Sequence, residues 1–511
     1  MRENFGGTVK HFLKRYLAGF FALAGFSICC ASQVLSYEVI QLTRDTAVEI
    51  AMNNSYNIKQ LELGIRRTRY WLKAERAALK SKVYMNINAP EIDAVADYKW
   101  NSTLRKNEII HQNTRRWQMD VSVRQPVILL GYPTNGYLSL NNKIYRYLQK
   151  ENGLEDVDYY NRFFFKFEQP IFLPNELKND IENAELNVQR EELNYIRNRV
   201  GLANQVAYDF YNLFGLVYRD GVYTEQVRNL QRVYEIARDI AGADTTRVIE
   251  EIQARVELAN ITELQMKNRS NFRMRILNMK QRLRLDIQDS LVIRHDIDIK
   301  KINIDFDKAL EYCYTLRPHL RLLRIEKRRR EISLNNAHGW DSFRLNFEIT
   351  FGLEKNHDRY QAMMDEYDNS YSVSLNAYIP IWDWGRRKAW IGAERVNVQR
   401  AELNIDENMS SLRNSLNTTV TDLEDYQQRA LNLRESVIMA REIVEASIGQ
   451  YRDGDITLQN VLQIIKRQNE TELNFLEAYL GYRRELQELK GLTFFDFETD
   501  SSMIDKYKPE S

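Results

Sequence analysis

The residues that could carry out chemistry are spread along the chain without the spacing of a catalytic or metal site. Two histidines four residues apart would place two metal ligands on one face of a helix. The sequence has no such pair among its histidines, which are His11, His111, His295, His319, His338 and His357. It also has no glycine-rich phosphate loop, no cysteine pair at metal-binding spacing and no GxSxG motif. We therefore expect no catalytic activity, no metal and no cofactor.

Acidic residues are dense beside two glycine-bearing turns, AGADTT (241–246) and RDGDIT (452–457). Elsewhere, carboxylates on long helices mostly pair with Lys and Arg at the surface. Glycine tolerates left-handed backbone, so Gly242 and Gly454 are expected to form the two turns. The acids in or after the turns are Asp244, Glu250, Glu251, Asp453 and Asp455. The net charge of +1 gives no reason to expect nucleic acid as a partner.

The two turns end very long helical segments. No proline lies between Pro174 and Pro318, or between Pro380 and Pro509. A run of roughly 66 residues before each turn corresponds to about 100 Å of helix. Return helices at 250–284 and 457–490, with shorter helices at 43–80 and 307–338, would pack along the long ones as antiparallel coiled pairs.

Four segments alternate between apolar and polar residues, the pattern of a strand with two different faces. The clearest is FRLNFEITFGLE at 343–354. A tilted strand of nine to eleven residues crosses a bilayer, so we expect its apolar face to contact lipid and its polar face to line a wet lumen. The expected lipid-facing residues are Phe343, Leu345, Phe347, Ile349 and Phe351. A strand lying on a soluble core is the alternative.

Four such strands cannot close a barrel, and open strand edges are not tolerated in lipid. The chain must therefore oligomerise if the strands are in a membrane. Three copies of four strands would give twelve.

The chain also repeats itself, which predicts two structural halves. NVQREELN (187–194) returns as NVQRAELN (397–404), and Pro170 corresponds to Pro380 at the same offset. We expect a first half over 33–305, with strands at about 81–90 and 160–172, a helical hairpin over 175–284 and a joint over 285–305. The second half, 306–490, has strands at about 343–353 and 371–382 and a hairpin over 386–490. Residues 491–511 would be an equatorial segment or a tail.

Two segments fall outside this plan. Residues 91–157 are an insertion between the first two strands, and they form either an additional hairpin or a surface or periplasmic loop. Residues 1–32 have the basic start and short apolar run of an export signal. The SICC sequence is a poor lipidation motif, so we expect no lipid anchor at Cys29 or Cys30.

The segment IPIWDWGRRKAWIGAERVNVQRAELN (379–404) resembles the strand-to-helix passage of the TolC family of outer-membrane channels. LRLDI (283–287) and YRDGDITLQNVL (451–462) are also similar to family segments. The resemblance implies a mainly α-helical homotrimer, with a periplasmic α-barrel continuing an outer-membrane β-barrel. It also implies passive efflux or type I secretion with a periplasmic adaptor and an inner-membrane pump, and strand-to-helix turns at Pro170, Pro174, Pro380 and Gly385. A periplasmic adaptor and a structural coiled-coil surface protein remain the alternatives.

In this family, acidic residues after the second glycine turn can ring the closed aperture. The corresponding positions here are Asn460 and Gln463, so the expected acid rings are missing. The acids named above lie nearby, and a ring of three carboxylates would attract cations and narrow the pore. The alternative is that they belong to a charged hairpin end that is simply solvated. Tyr451, Arg452 and Thr457 are candidates for gate contacts or adaptor docking.

Overall fold

The computed structural model describes residues 39–101, 104–151 and 154–509. The expected export signal, with Cys29 and Cys30, lies outside the described residues. Among the described residues, no helix is both long enough and apolar enough to cross a membrane.

The first part of the chain consists of a short strand, two helices and a four-strand run. These elements are β1 (Val39–Leu42), α1 (Arg44–Asn54), α2 (Tyr56–Ala77), β2 (Lys82–Asn101), β3 (Lys106–Leu129), β4 (Tyr132–Glu151) and β5 (Leu154–Ile171). The single helix expected over 43–80 is broken at Ser55. The backbone of Ser55 is extended there, and its side chain accepts a hydrogen bond from the Ile58 amide at 3.4 Å, which caps α2.

The first helical hairpin and the joint follow. Their elements are α3 (Glu176–Ala243), α4 (Val248–Leu283), β6 (Ser290–Ile293), α5 (Phe306–Thr315) and α6 (Pro318–Gly339). The helix expected over 307–338 is also broken, between α5 and α6. Pro318 disfavours helical backbone at the residue before it, and Arg317 is accordingly extended.

The last part contains the second pair of strands, the second hairpin and a C-terminal segment. Its elements are β7 (Arg344–His357), β8 (Asp368–Tyr378), α7 (Arg386–Asp453), α8 (Leu458–Thr493), β9 (Phe495–Asp496), β10 (Ser501–Ser502) and α9 (Met503–Lys506). The helices of the two hairpins have the same lengths, because α3 and α7 each have 68 residues and α4 and α8 each have 36.

Six strands form one antiparallel sheet in the order β2-β3-β4-β5-β7-β8. The insertion 91–157 therefore continues β2 and adds β3 and β4, which is the hairpin alternative and not a loop. β8 has 11 residues, within the nine to eleven expected, whereas the other five strands are longer, from 14 residues in β7 to 24 in β3. Paired neighbours extend the strands on the insertion side, where β2 and β3 pair as far as Asn101 and Lys106.

The helices form an elongated bundle with separate apolar clusters along its length. One cluster, around Tyr479 and Leu416, joins α5, α7 and α8, and another, around Tyr451 and Val233, joins the ends of both hairpins. The parallel pair β1–β6 and the C-terminal segment pack near the middle, where Met503 and Tyr507 belong to one apolar cluster with Val200 of α3.

Candidate functional site

One face of the sheet, which we call the outward face, carries a row of apolar residues that crosses all six strands. Strand pairing places one apolar residue of each strand in a single row, which runs Val83, Val123, Leu140, Phe165, Phe351 and Tyr371. Exposure is highest at the two edges, where Val83 is 67% and Tyr371 83% exposed, and it is 40% at Leu140 in the middle of the row. The expected lipid-facing residues Leu345, Phe347, Ile349 and Phe351 lie on this face, and Phe343 immediately precedes β7.

The opposite face is polar and more enclosed. Ser122 and Thr350 point to this side, and each is only 7% exposed. The sheet thus buries small polar side chains while it exposes Phe, Val and Tyr, which is the reverse of a sheet on a soluble core.

Charged side chains on the polar face are paired across strands. The Lys166 ammonium lies 2.9 Å from a Glu348 carboxylate oxygen and 3.6 Å from Glu168. Farther along the same two strands, the Tyr160 hydroxyl donates a 2.7 Å hydrogen bond to Glu354, which also lies 3.6 Å from Arg162. This face is polar and carries both acidic and basic side chains.

The predicted strand-to-helix turns lie at one end of the sheet. Pro170 is the second-last residue of β5, and Pro174 directly precedes Asn175, whose side chain caps α3. Pro380 follows β8 by two residues, and Gly385 starts α7 with a left-handed φ of 81°. Asp383 closes this last turn by accepting hydrogen bonds from the Arg387 and Gly385 amides at 2.7 and 2.8 Å, and these bonds lower the pKa of its carboxyl.

Tryptophans lie at the same end of the sheet. Trp340 and Trp390 stack with ring centroids 5.6 Å apart, and Arg386 lies 4.8 Å from the Trp340 ring. Trp382 and Trp384 are 73% and 89% exposed. Exposed aromatic rings beyond an apolar strand face are typical of a membrane–water boundary.

At the far end of the helices, the first turn is built differently from the expectation. Gly242 is inside α3 with helical backbone, so the left-handed conformation expected there is wrong. The chain leaves the helix at Asp244, whose extended backbone is held by hydrogen bonds from the Thr246 hydroxyl and amide to its carboxylate, at 2.7 and 3.0 Å. An Asx-type cap performs this turn without glycine, and the hydroxyl bond in particular lowers the pKa of Asp244.

The second turn has the expected glycine. Gly454 ends α7 with a φ of 84°, and its amide donates to the Tyr451 carbonyl at 3.2 Å. Thr457 caps α8 by accepting a 3.4 Å hydrogen bond from the Asn460 amide. The remaining predicted residues of this turn are solvent-exposed, namely Arg452, Asp453, Asp455, Asn460 and Gln463.

One contact joins the two helical hairpins at their ends. Tyr451, at the end of α7, is fully buried, and its hydroxyl donates a 3.0 Å hydrogen bond to Glu250 of α4. Glu250 also accepts two hydrogen bonds from Arg247, at 2.7 and 3.0 Å, while Glu251 lies beside it at the start of α4. Burial, and then the bond to Glu250, raises the pKa of the Tyr451 phenol, which stays neutral and remains a donor. We call Tyr451, Glu250 and Arg247 the tip latch; Arg247 was not among the predicted residues.

A second charged cluster at the middle of the helices was also not predicted. Arg483 and Lys490 of α8 lie 2.9 and 2.5 Å from Glu498 of the C-terminal segment, and Arg483 also donates to the Tyr211 hydroxyl at 2.7 Å. Burial alone would raise the pKa of Glu498, but Arg483 and Lys490 outweigh it and hold that pKa at about 2. Among the described residues, no group of acidic, His and Cys side chains is arranged to hold a metal ion.

Comparison with protein families gives a match in the second half of the chain. Residues 317–493 match the family model described as "Outer membrane efflux protein". These 177 of the 511 residues are similar to outer membrane efflux proteins, and we call them the efflux-protein domain. The resemblance to TolC-like outer-membrane channels is thereby confirmed, and so is the expectation of an outer-membrane, efflux and transport protein. No curated protein matches the chain.

Solved structures show that the fold extends well beyond the efflux-protein domain. CusC is 12% identical with a TM-score of 0.64, over 89% of this chain and 92% of that one. The CmeC outer membrane channel of Campylobacter jejuni is also 12% identical, with a TM-score of 0.63 over 92% and 93%. VceC of Vibrio cholerae is 10% identical, with a TM-score of 0.63 over 88% and 95%. The mainly helical architecture with a sheet is therefore shared with outer-membrane channels.

Proposed function

We propose that the protein is an outer-membrane channel-tunnel that passively conducts solutes out of the cell in efflux or type I secretion. The observation that carries this proposal is the inverted sheet, with an exposed apolar face and an enclosed, ion-paired polar face. Such a sheet is stable in a bilayer with water on its polar side, and unstable if both faces meet water.

The helices then form the periplasmic part of the duct. A helix of 68 residues is about 100 Å long, far longer than a compact domain needs. Both long helices start at the membrane end of the sheet and end in the turns at 244–247 and 454–457. The turns therefore lie deep in the periplasm, where an adaptor and an inner-membrane pump can reach them.

The active form is a homotrimer. The sheet has edges at β2 and β8, and the peptide groups of an open edge cannot be left unsatisfied in lipid. Copies of the same chain supply the missing neighbours, as the resemblance to TolC-like trimers implies. We also propose the division of the chain into an export signal (1–32), two halves (33–305 and 306–490) and an equatorial segment (491–511).

The tip latch holds the periplasmic end closed. The latch ties α7 of the second hairpin to α4 of the first, so the hairpins cannot separate while Tyr451 is bonded to Glu250. Docking of the adaptor on the exposed residues around Arg452 and Asp455 would favour the separated state. The energy for transport comes from the pump, which is why the chain needs no catalytic site.

Membrane fractionation tests the proposal against the two alternatives. A channel should be found in the outer membrane, be released only by detergent, and run as a trimer on native gels. A periplasmic adaptor or a coiled-coil surface rod without a transmembrane sheet would be released by osmotic shock, or by salt or urea washes. Release without detergent would refute the channel.

A further inference from the structure

We propose that the β3–β4 hairpin is part of the pore wall, so that three chains close an eighteen-stranded barrel and not the twelve-stranded one that four strands per chain imply. This inference rests on the proposed trimeric channel and specifies the size of its lumen.

Strand pairing places the hairpin within the plane of the sheet. β4 pairs with β5 from Tyr137–Glu168 to Glu151–Leu154, and β3 pairs with β2 from Lys82–Arg124 to Asn101–Lys106. The hairpin therefore separates β2 from β5 along most of their length. A loop folded over the outside of a four-stranded wall would leave β2 and β5 as neighbours.

The hairpin also has the two faces of the wall. On the outward side, Val123 and Leu140 continue the apolar row from Val83 to Phe165. The next row, on the polar side, contains Ser122 and Asn141. A hairpin exposed to water on both sides has no physical reason to keep this alternation in register with its neighbours.

The two edges of the six-stranded sheet suit a second copy of the chain. Residues 83–90 of β2 and 369–379 around β8 contain no charged residue, and both segments alternate apolar and uncharged polar side chains. Soluble proteins protect exposed edges with lysine, inward-pointing charges or short strands. The uncharged stretches cover eight residues of β2 and eleven residues around β8, so we assign β8 of one chain to pair with β2 of the next.

An eighteen-stranded barrel is wider than the twelve-stranded barrel that four strands per chain would form. Barrel diameter grows roughly in proportion to strand number, so the barrel would be about 1.5-fold wider and its cross-section about twofold larger. The strands β2, β5, β7 and β8 each adjoin a helix of the bundle, whereas β3 and β4 meet in a turn at Leu130–Gly131.

That turn is anchored at the start of α3. The Asn135 side chain donates to the Pro174 carbonyl at 2.6 Å and accepts from the Glu176 amide at 3.1 Å. The extra strands thus enlarge the barrel without adding helices, which favours bulky or polymeric cargo at its outer mouth.

A matched pair of arginine substitutions tests whether the hairpin is in the membrane. Leu140→Arg places a charge on the outward row of β4, and Asn141→Arg places it one residue along, on the polar face. We expect trimer in the outer membrane to fall at least about tenfold for Leu140→Arg and to stay within about threefold of wild type for Asn141→Arg. Equal yields from the two variants would overturn the inference.

Electron cryomicroscopy of the purified full-length trimer counts the strands directly. We expect eighteen strands in the wild-type barrel. In a variant in which Asn-Gly replaces residues 96–153, β2 and β5 become neighbours, and we expect a barrel of about two-thirds of the wild-type diameter. A trimer with twelve wall strands and the hairpin outside would overturn the inference and leave the proposed channel intact. A protein with no trimeric transmembrane pore would overturn both.

Discussion

An arginine scan along β7 probes the solvent that the apolar face meets. The outward positions run from Leu345 to Leu353 in steps of two residues, with Ile349 at the centre. Eight residue steps cover about 27 Å along a strand, and a tilt of about 40° reduces this to about 20 Å across the membrane. Ile349 is therefore near the midplane, and Leu345 and Leu353 are near the two interfaces.

The expected cost follows this depth. Arginine at the midplane of an outer-membrane barrel costs roughly 2–4 kcal/mol, and near the interfaces about 0–1 kcal/mol. Ile349→Arg should therefore weaken assembly roughly 30- to 700-fold per chain, while Leu345→Arg and Leu353→Arg should have small effects. Phe347→Arg lies two residues from the centre, and its loss of assembly should fall between these limits.

The assay is the fraction of trimer in detergent-extracted outer membranes, measured on native gels. Asn346→Arg is the matched control, because Asn346 lies on the same strand and points to the polar face between Pro170 and Asn376. If Ile349→Arg assembles as well as Asn346→Arg, the apolar face does not meet lipid. A flat profile along β7 would refute the depth argument even if all variants were impaired.

Three further predictions concern the helices. Gly454→Ala should destabilise the second turn by about 1–2 kcal/mol, because the φ of Gly454 is 84°. Gly242→Ala should be neutral or stabilising by up to about 1 kcal/mol, because Gly242 lies in a helix with open space around it. Thermal unfolding of the trimer compares the two variants. Tyr451→Phe removes the hydroxyl of the tip latch and keeps the ring, so it should raise the frequency of open-channel events in bilayer recordings, and unchanged closure would exclude the latch as a gate contact. The pKa of Glu498 is lowered from its usual 4.5 to about 2, so the stabilising effect of its carboxylate is complete above pH 4.5 and is lost as the pH falls towards 2. Protease cleavage of the C-terminal segment should therefore increase over this range in wild type. The Glu498→Gln variant should be cleaved readily at every pH.

The sequence predicted the parts of the fold that depend on periodicity. The alternation in 343–354 identified β7 to within one residue at its start, and the absence of proline identified α3 and α7. The strand lengths and the strands within 91–157 were harder to predict from the sequence. Many polar residues lie near the Asn101 and Lys106 ends of β2 and β3, where the strands pair without the clear alternation of a membrane segment. The helix break at Ser55 was missed because a single serine is a weak signal inside a helical pattern.

The candidate site was less predictable than the fold. Glycine alone suggested a turn at Gly242, but an aspartate cap two residues later, at Asp244, performs it. Asp-x-Thr at 244–246 was the available signal in the sequence. Tyr451 was named as a gate candidate, but its partner Glu250 lies 201 residues away in the chain. The cluster around Glu498 combines Arg44, Tyr211 and Arg483 from distant helices, and no local pattern in the sequence relates them.

Planar-bilayer recording of the purified oligomer tests the proposed channel most directly. We expect ion-conducting events from wild type, with a larger open fraction after Tyr451→Phe, since both the pore and its closure at the tip are then observed in one experiment. The proposed transmembrane duct would be contradicted if the correctly inserted oligomer conducts no current, both as wild type and as the Tyr451→Phe variant.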